Sequence, residues 1–462
     1  MVEGHYLASG FMVEILDSTL REGEQTAGVS FNSDERIKIA TALSKFGVDI
    51  IEVGNPGVSE DIKNSIKEVS NLGLKTPLLC HSLATKENID LVAQMNTEWI
   101  GLFWGTSDIS LKYKFNMPRA KALEKITEVI EYASNYGLKI RFTAEDASRT
   151  DINFLTKVYN TAKAAGATRG SIADTVGNLT PRKTSELVSG LVKSTKLPLH
   201  IHCHNDLGLA TANAIAAYEA GITLIDVTVN GLGERAGITT LDELAVSLKK
   251  IYNVKNGWKI EMLPELSAMV ERYSGIFNAN HKPIVGKNVF SHKAGVHTSA
   301  VLKNPLTYEF LRPEEFGRER AILVDKFAGT AAVKHFTSKL GHKANDAQIK
   351  EIISQIKNRN RKFCTEFDVI KIIENVLGIS RENTRNAQAL VFVTANHDGY
   401  INDLKNGFAK HPEITNCLEI AGEYDLCLHA KTDSVRKLNL LVDKIRSMEN
   451  VQKTNTMVIL NG

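Results

Sequence analysis

The sequence predicts an α/β chain whose main body is a (β/α)8 TIM barrel, followed by a helical subdomain and a C-terminal ferredoxin-like βαββαβ domain. Three observations predict this. Eight short β-branched runs recur through the first 250 residues, a helix-length segment follows each, and the last 75 residues change to a different strand–helix order.

In chain order the runs are VEILDST (13–19), DIIEVGNP (49–56), PLLCHSL (77–83), WIGLFWGTS (99–107), KIRFTAED (139–146), RGSIADTVG (169–177), LHIHCHND (199–206) and LIDVTVNGLGE (224–234). Segments between them, such as 120–137, carry apolar residues at helical spacing and close on a glycine, Gly137. Strands alternating with helices imply parallel pairing through right-handed crossovers, and eight units match a closed barrel better than an open doubly wound sheet. From 255 to 385 the strand signals fade into helices joined by loops, with an irregular Gly- and His-containing stretch at 278–297. The tail then spells β-α-β-β-α-β, a split ferredoxin-like unit. The expected divisions are 1–255 for the barrel, 256–387 for the helical linker and subdomains, and 388–462 for the terminal domain.

Of the 462 residues, 43% are hydrophobic and 24% charged, the proportions of a soluble globular protein. A net charge of +3 leaves no reason to expect nucleic acid or a membrane surface as partner. No apolar run approaches the roughly 20 residues of a membrane helix, and no basic-then-apolar leader opens the chain. The cysteines (Cys80, Cys203, Cys364, Cys417, Cys427) are odd in number and scattered, which argues against a disulfide framework and for a cytoplasmic location.

A (β/α)8 barrel does its chemistry at the C-terminal ends of its strands, and polar residues gather there. The first run ends in DSTLREGEQ (17–25), the second holds Glu52 and the third His81. The fifth carries Arg141, Thr143 and Glu145, the sixth ends in Asp174 and Thr175, and the seventh holds His202 and His204 before the eighth enters GLGERAG (231–237). The strand period of two turns His202 and His204 to one side. Two imidazoles with a carboxylate suit a catalytic divalent ion, where a single histidine would more simply be a packed or carbonyl-bonded one. His200 shares their parity but lies deeper and reads as structural; Cys203 faces the other way and reads as packing. Arg141 and Thr143 suit a carboxylate, since a guanidinium can grip it with two N–H groups. GLGERAG alone does not argue phosphate binding.

DSTLREGEQ, HCHNDLGLATANA, NGLGERAGIT and FSHKAGVH together resemble the family of homocitrate, isopropylmalate and citramalate synthases, in the DRE-type metallolyase superfamily of barrel enzymes. The resemblance runs over about residues 12 to 345. It implies condensation of acetyl-CoA, as co-substrate, with a 2-oxo acid, followed by thioester hydrolysis. It implies Glu22 as the third metal ligand beside His202 and His204, for one divalent ion that zinc, manganese, magnesium or cobalt could supply. It further implies Arg21, Gln25, His81, Arg141, Thr143, Thr175 and Glu52 around the 2-oxo acid, with Arg21 beside the reacting carbonyl. His297 is the implied general base, assisted by Tyr308 and Glu145, on a segment that reaches the partner barrel of a domain-exchanged homodimer or higher oligomer. A hydroxymethylglutaryl-CoA lyase would need a cysteine in a glycine-rich loop, which has no counterpart here.

The HKAGVH stretch, Ile238 after GERAG and the position of His81 resemble the members that use 2-oxoglutarate, for lysine biosynthesis through 2-aminoadipate. CHSLA and LKYKFNM (111–117) resemble the isopropylmalate enzymes, so 2-oxoisovalerate or pyruvate stays the alternative. The tail, with Gly422-Glu423-Tyr424-Asp425 at its central hairpin, resembles the effector domain of Lrp/AsnC-type regulators. It implies an allosteric amino-acid ligand, lysine being the expected one, or else a module for oligomerisation alone. A non-catalytic sensor on an old barrel would have no need of the whole site set.

Overall fold

Strand periodicity sorts the barrel's residues into two populations. Ile15, Ile51, Val53, Cys80, Ile100, Leu102, Ile140, Phe142, Ile172, Ile201, Cys203, Ile225 and Val227 face outward into the main core beneath the helices. Their in-between neighbours Leu16, Ile50, Leu79, Trp99 and Leu224 form a separate apolar plug. Above that plug the inward positions turn polar: Glu52, Arg141, Ser171, His200, His202 and Asp226 are all buried.

The computed structural model describes residues 12–325, 327–358, 366–379, 387–396, 401–420 and 424–459. Cys364, Gly422 and Glu423 lie outside these. The chain divides into two units, 1–323 and 324–462.

In the first unit, β1 (Glu14–Asp17), β2 (Ile50–Gly54), β3 (Leu78–Leu83), β4 (Trp99–Gly105), β5 (Lys139–Glu145), β6 (Arg169–Asp174), β7 (Leu199–Cys203) and β8 (Leu224–Val227) form a closed barrel in sequence order. All pairs are parallel, and β8 returns to β1 through Leu16↔Asp226. The helices begin where the sequence supplies caps. Asn32 and Glu35 make a capping box on Ser33–Phe46, which Gly47 ends in a left-handed turn at φ 101°. Ser59, Thr85, Asp151 and Thr180 cap the helices of later crossovers. Beyond the barrel, the helix Gly295–Lys303 follows β9 (Ser291–His292), which pairs in parallel with β10 (Ala321–Ile322). This small sheet corrects the expectation of helices and loops alone; two residues per strand are too short to show a period.

In the second unit, helices Thr330–Lys339, Asp346–Lys357 and Glu366–Leu377 precede β11 (Ala387–Ala395), β12 (Ile414–Glu419), β13 (Leu426–Thr432) and β14 (Val451–Ile459). Helices Ile401–Phe408 and Val435–Ser447 complete β-α-β-β-α-β, and the antiparallel sheet runs β12-β13-β11-β14. Strict alternation along β11 puts Ala389, Val391 and Val393 in a core with Leu438, Leu441 and Ile445 of the second helix. No helix among the described residues is long and apolar enough to cross a membrane.

Candidate metal centre and substrate cavity

The barrel mouth holds a cavity of about 410 Å³. Residues from seven of the eight strands or the loops after them line it, and the side chains expected there are present: Arg21, Glu22, Gln25, His81, Arg141, Thr143, Glu145, Thr175, His202 and His204. Phe103, Lys114, Ser171, Asp226 and Arg235 join them without having been foreseen.

Glu22, His202 and His204 are buried and bring one ligand atom each within 4.8 Å of one another. The two imidazole Nε2 atoms are 3.3 Å apart, close to the ~3.4 Å that nitrogens ~2.1 Å from a tetrahedral ion would span. Glu22 Oε2 lies 4.0 Å from His202 Nε2. Asp226, on β8, explains the orientation of His202. Its Oδ2 is 2.9 Å from His202 Nδ1, so the ring donates there and keeps the Nε2 lone pair for the site. His200 Nε2 sits 2.6 Å from the other oxygen of Asp226, and this deeper histidine does not line the cavity. Burial opposes the charge on Asp226, yet His200, His202 and Arg141 hold its carboxyl well below the usual range. His204 is pushed down to about 4 by burial and by His202, against the pull of Glu22, so its ring is neutral near pH 7. Burial works against ionised Glu22 too, but Arg21 and the two histidines keep it below the ordinary carboxyl value. These donors, one carboxylate and two imidazole nitrogens, fit a divalent cation.

GLGERAG is the wall of this centre. Gly233, at φ 155°, lies so close that a Cβ would stand 3.1 Å from Glu22 Cγ. A Cβ on Gly237 would fall 1.8 Å from the Gly231 carbonyl oxygen, so only glycine closes the turn. The Glu234 N–H then donates to Glu22 Oε1 at 3.1 Å.

Glu52 lies under the cavity floor, not in its lining. Its carboxylate accepts from Ser18, from Arg21 Nε at 2.8 Å and from Arg141 Nη2 at 2.8 Å, and it contacts His81 Nδ1 at 3.2 Å. Burial disfavours its charge, but Arg21 and Arg141 overcome that and hold it well below the ordinary value. Gly101 makes this possible, since a Cβ there would meet Arg141 Nη2 at 2.7 Å. Arg141 keeps Nε and Nη1 without a hydrogen bond inside the protein, and so do the buried hydroxyls of Thr143 and Ser171. Thr175 Oγ1 accepts from the Asp146 N–H at 2.8 Å and retains its own proton to give. The wall is a set of donors suited to a carboxylate and a carbonyl oxygen.

His297 and Tyr308 do not line the cavity of their own chain. They stack on each other with ring centroids 4.1 Å apart, His297 exposed and Tyr308 47% exposed. Val296, next to His297 in the chain, and Leu306 and Phe310, two residues to either side of Tyr308, are 75%, 65% and 71% exposed. Glu145 is at the cavity rim, where its carboxylate accepts from Lys114 at 2.7 and 2.9 Å.

Residues 12–270 match the HMGL-like family, 284–362 the homocitrate synthase post-HMGL domain-like family, and 388–462 the Lrp/AsnC ligand binding domain. Among curated relatives, a homocitrate synthase from Sulfurisphaera tokodaii is 44% identical over 456 residues, covering 97% of this chain and 99% of that one. A homocitrate synthase of Saccharolobus solfataricus is 42% identical over the same span. Among solved structures, the HMG-CoA lyase of Bacillus subtilis is similar at TM-score 0.53 and 18% identity, over 61% of this chain and 98% of that one. This last likeness is one of fold alone.

Proposed function

We propose the reaction of a chain that belongs to the HMGL-like family and, within it, to the homocitrate synthases: condensation of acetyl-CoA with 2-oxoglutarate and water to give homocitrate and CoA. The observation that carries the reading is the buried convergence of Glu22, His202 and His204 beside a wall of unpaired donors. A divalent ion held by these three would polarise the ketone of the 2-oxo acid. Arg141, Thr143 and Thr175 bind the carboxylate next to that ketone. Arg21 and Gln25 face the reacting carbonyl, and Glu52 keeps both arginines pointed upward from below.

A base must remove a methyl proton from the thioester. His297 serves, with Tyr308 stacked against it, and it reaches the cavity of a partner chain rather than its own; the exposed apolar side chains around it support that exchange. The methyl carbon adds to the ketone, the ketone oxygen takes up a proton, and water cleaves the thioester to release CoA. The tail binds an amino acid, lysine as end product, and regulates the barrel; its match to a ligand-binding domain supports this. Release of CoA thiol, followed with 2-oxoglutarate, 2-oxoisovalerate and pyruvate in parallel, tests the substrate. Preference for 2-oxoglutarate is expected, and preference for 2-oxoisovalerate would overturn it.

A further inference from the structure

A strand that has delivered its side chains to a barrel mouth must stop, and the way it stops decides where its neighbours point. β5 stops under strain. Asp146, the residue after Glu145, is 1% exposed and sits in the left-handed region at φ 61° and ψ 36°. Any side chain enters that region at a cost, which Asp and Asn bear best. Asp146 is also the N-cap of the 3-10 turn Ala147–Arg149, yet its carboxylate makes no cap. The oxygens are committed elsewhere: Ser107, just after β4, donates to Oδ2, and Arg149 donates Nε to Oδ1 and Nη2 to Oδ2, both at 2.8 Å.

This grip holds the backbone. The Glu145 carbonyl turns to the β4 side, where Thr106 donates its N–H at 3.0 Å and its hydroxyl at 3.2 Å. The Asp146 N–H turns to the β6 side, beyond the last β5–β6 pair Ala144↔Ile172, and donates to Thr175 Oγ1 at 2.8 Å. Thr175 is pinned at its other end too, since Arg235 Nη2 donates to its carbonyl at 2.7 Å. Thr175 lines the cavity and Asp146 stands behind it, outside the lining. A hydroxyl that accepts from an N–H behind it keeps its own proton to give in front. The left-handed turn therefore sets the direction in which Thr175 donates.

We propose that Asp146 is a positioning residue for the 2-oxo acid: its carboxylate, held by Ser107 and Arg149, keeps a left-handed turn whose N–H aims the Thr175 hydroxyl at the substrate. This rests on the reading of the barrel as a 2-oxo acid condensing site, with Thr175 on the carboxylate beside the ketone.

The test is steady-state CoA release by the full-length protein, by Asp146→Ala, Asp146→Asn and Thr175→Val, and by the variant carrying both Asp146→Ala and Thr175→Val. The 2-oxo acid is whichever the parent turns over best, and thermal midpoints are measured alongside. Losing one hydrogen bond to a charged group predicts a KM for the 2-oxo acid raised roughly 10- to 100-fold in Thr175→Val, with kcat changed less. Asp146→Ala should approach the same rise. Because both changes remove one donor, the double variant should be no worse than the poorer single by more than about twofold. Asp146→Asn, at ease in the left-handed region and still an acceptor for Ser107, should recover most of the loss. A KM in Asp146→Ala within about twofold of the parent overturns the proposal, and so does multiplication of the two effects in the double variant. Should Asp146→Ala fail to fold, Arg149→Gln loosens the same carboxylate from the surface. A rise in KM that disappears in the Thr175→Val background is then expected; no rise, or an equal rise in both backgrounds, overturns the proposal. A parent protein that condenses no 2-oxo acid would instead sink the function on which the proposal stands, and that is seen before any variant is made.

Discussion

Replacing Glu52 by Gln tests the electrostatics of the barrel interior most directly. Glu52 is fully buried and holds two guanidiniums at 2.8 Å each, with Ser18 and His81 on the remaining lone pairs. Glutamine keeps the shape but removes the charge, leaving Arg21 and Arg141 over an amide. Breaking a buried ion pair from one side costs about 3–5 kcal/mol. For a unit of this size, at about 2 °C per kcal/mol, the thermal midpoint should fall by about 6–10 °C. Because Glu52 is held below its ordinary value, its contribution is present above the unfolded pKa of 4.5 and is lost only as pH falls through the lower folded value. The gap between parent and variant should therefore stay constant from pH 6 to 8, roughly. Calorimetric unfolding across that range, with KM for the 2-oxo acid measured in parallel, is the assay. A gap under about 1 kcal/mol at pH 7 would refute the ion-pair account.

Other outcomes follow from the same geometry. His202→Ala should lose bound divalent metal on dialysis, read by elemental analysis, with CoA release falling about 1000-fold or more. Glu22→Ala and His297→Ala should each be inactive, yet refolding them together should restore about a quarter of parental activity if His297 serves the neighbouring subunit; no recovery would place the base elsewhere. Asp17, pushed up to about 7 by burial and by Asp226 and Glu52, stays protonated in the fold while the unfolded carboxyl ionises from 3.8. The parent should thus lose stability relative to Asp17→Asn as pH rises from 4 to 7, by on the order of 4 kcal/mol in full, of which about 3 kcal/mol falls between denaturant melts at pH 5 and 8. Deleting residues 388–462 should abolish inhibition by lysine, measured as CoA release, and unchanged inhibition would remove the effector role from the tail.

The barrel was legible because its strands repeat eight times and each is long enough to show alternation. The same alternation made His202 and His204 legible as a pair. Glu22 lies on no strand; it is the N-cap of the 3-10 turn Gly23–Gln25 after β1, and its role came only from the resemblance of DSTLREGEQ. Asp226 was missed although a signal existed: an acid at the inward parity of β8, two residues after Leu224 of the apolar plug. Ser171 could have been found in the same way on β6. Lys114 could not, because a π-turn carries no periodicity and its position depends on Phe103 and Trp104, residues of another element. His297 and Tyr308 were singled out through motif resemblance alone, and their own chain leaves them on its surface.

The sorting of strand residues into outward aliphatic and inward polar sets bears on which changes of chain length the barrel can survive. Deleting a single residue early in β5 would slide Arg141, Thr143 and Glu145 under the surrounding helices and turn Ile140, Phe142 and Ala144 toward the substrate. No local shift could repair both faces at once. Length variation among homologous proteins should therefore fall in the helix–strand connections on the far side from the cavity, and the eight strands should keep their frame even where their sequences drift.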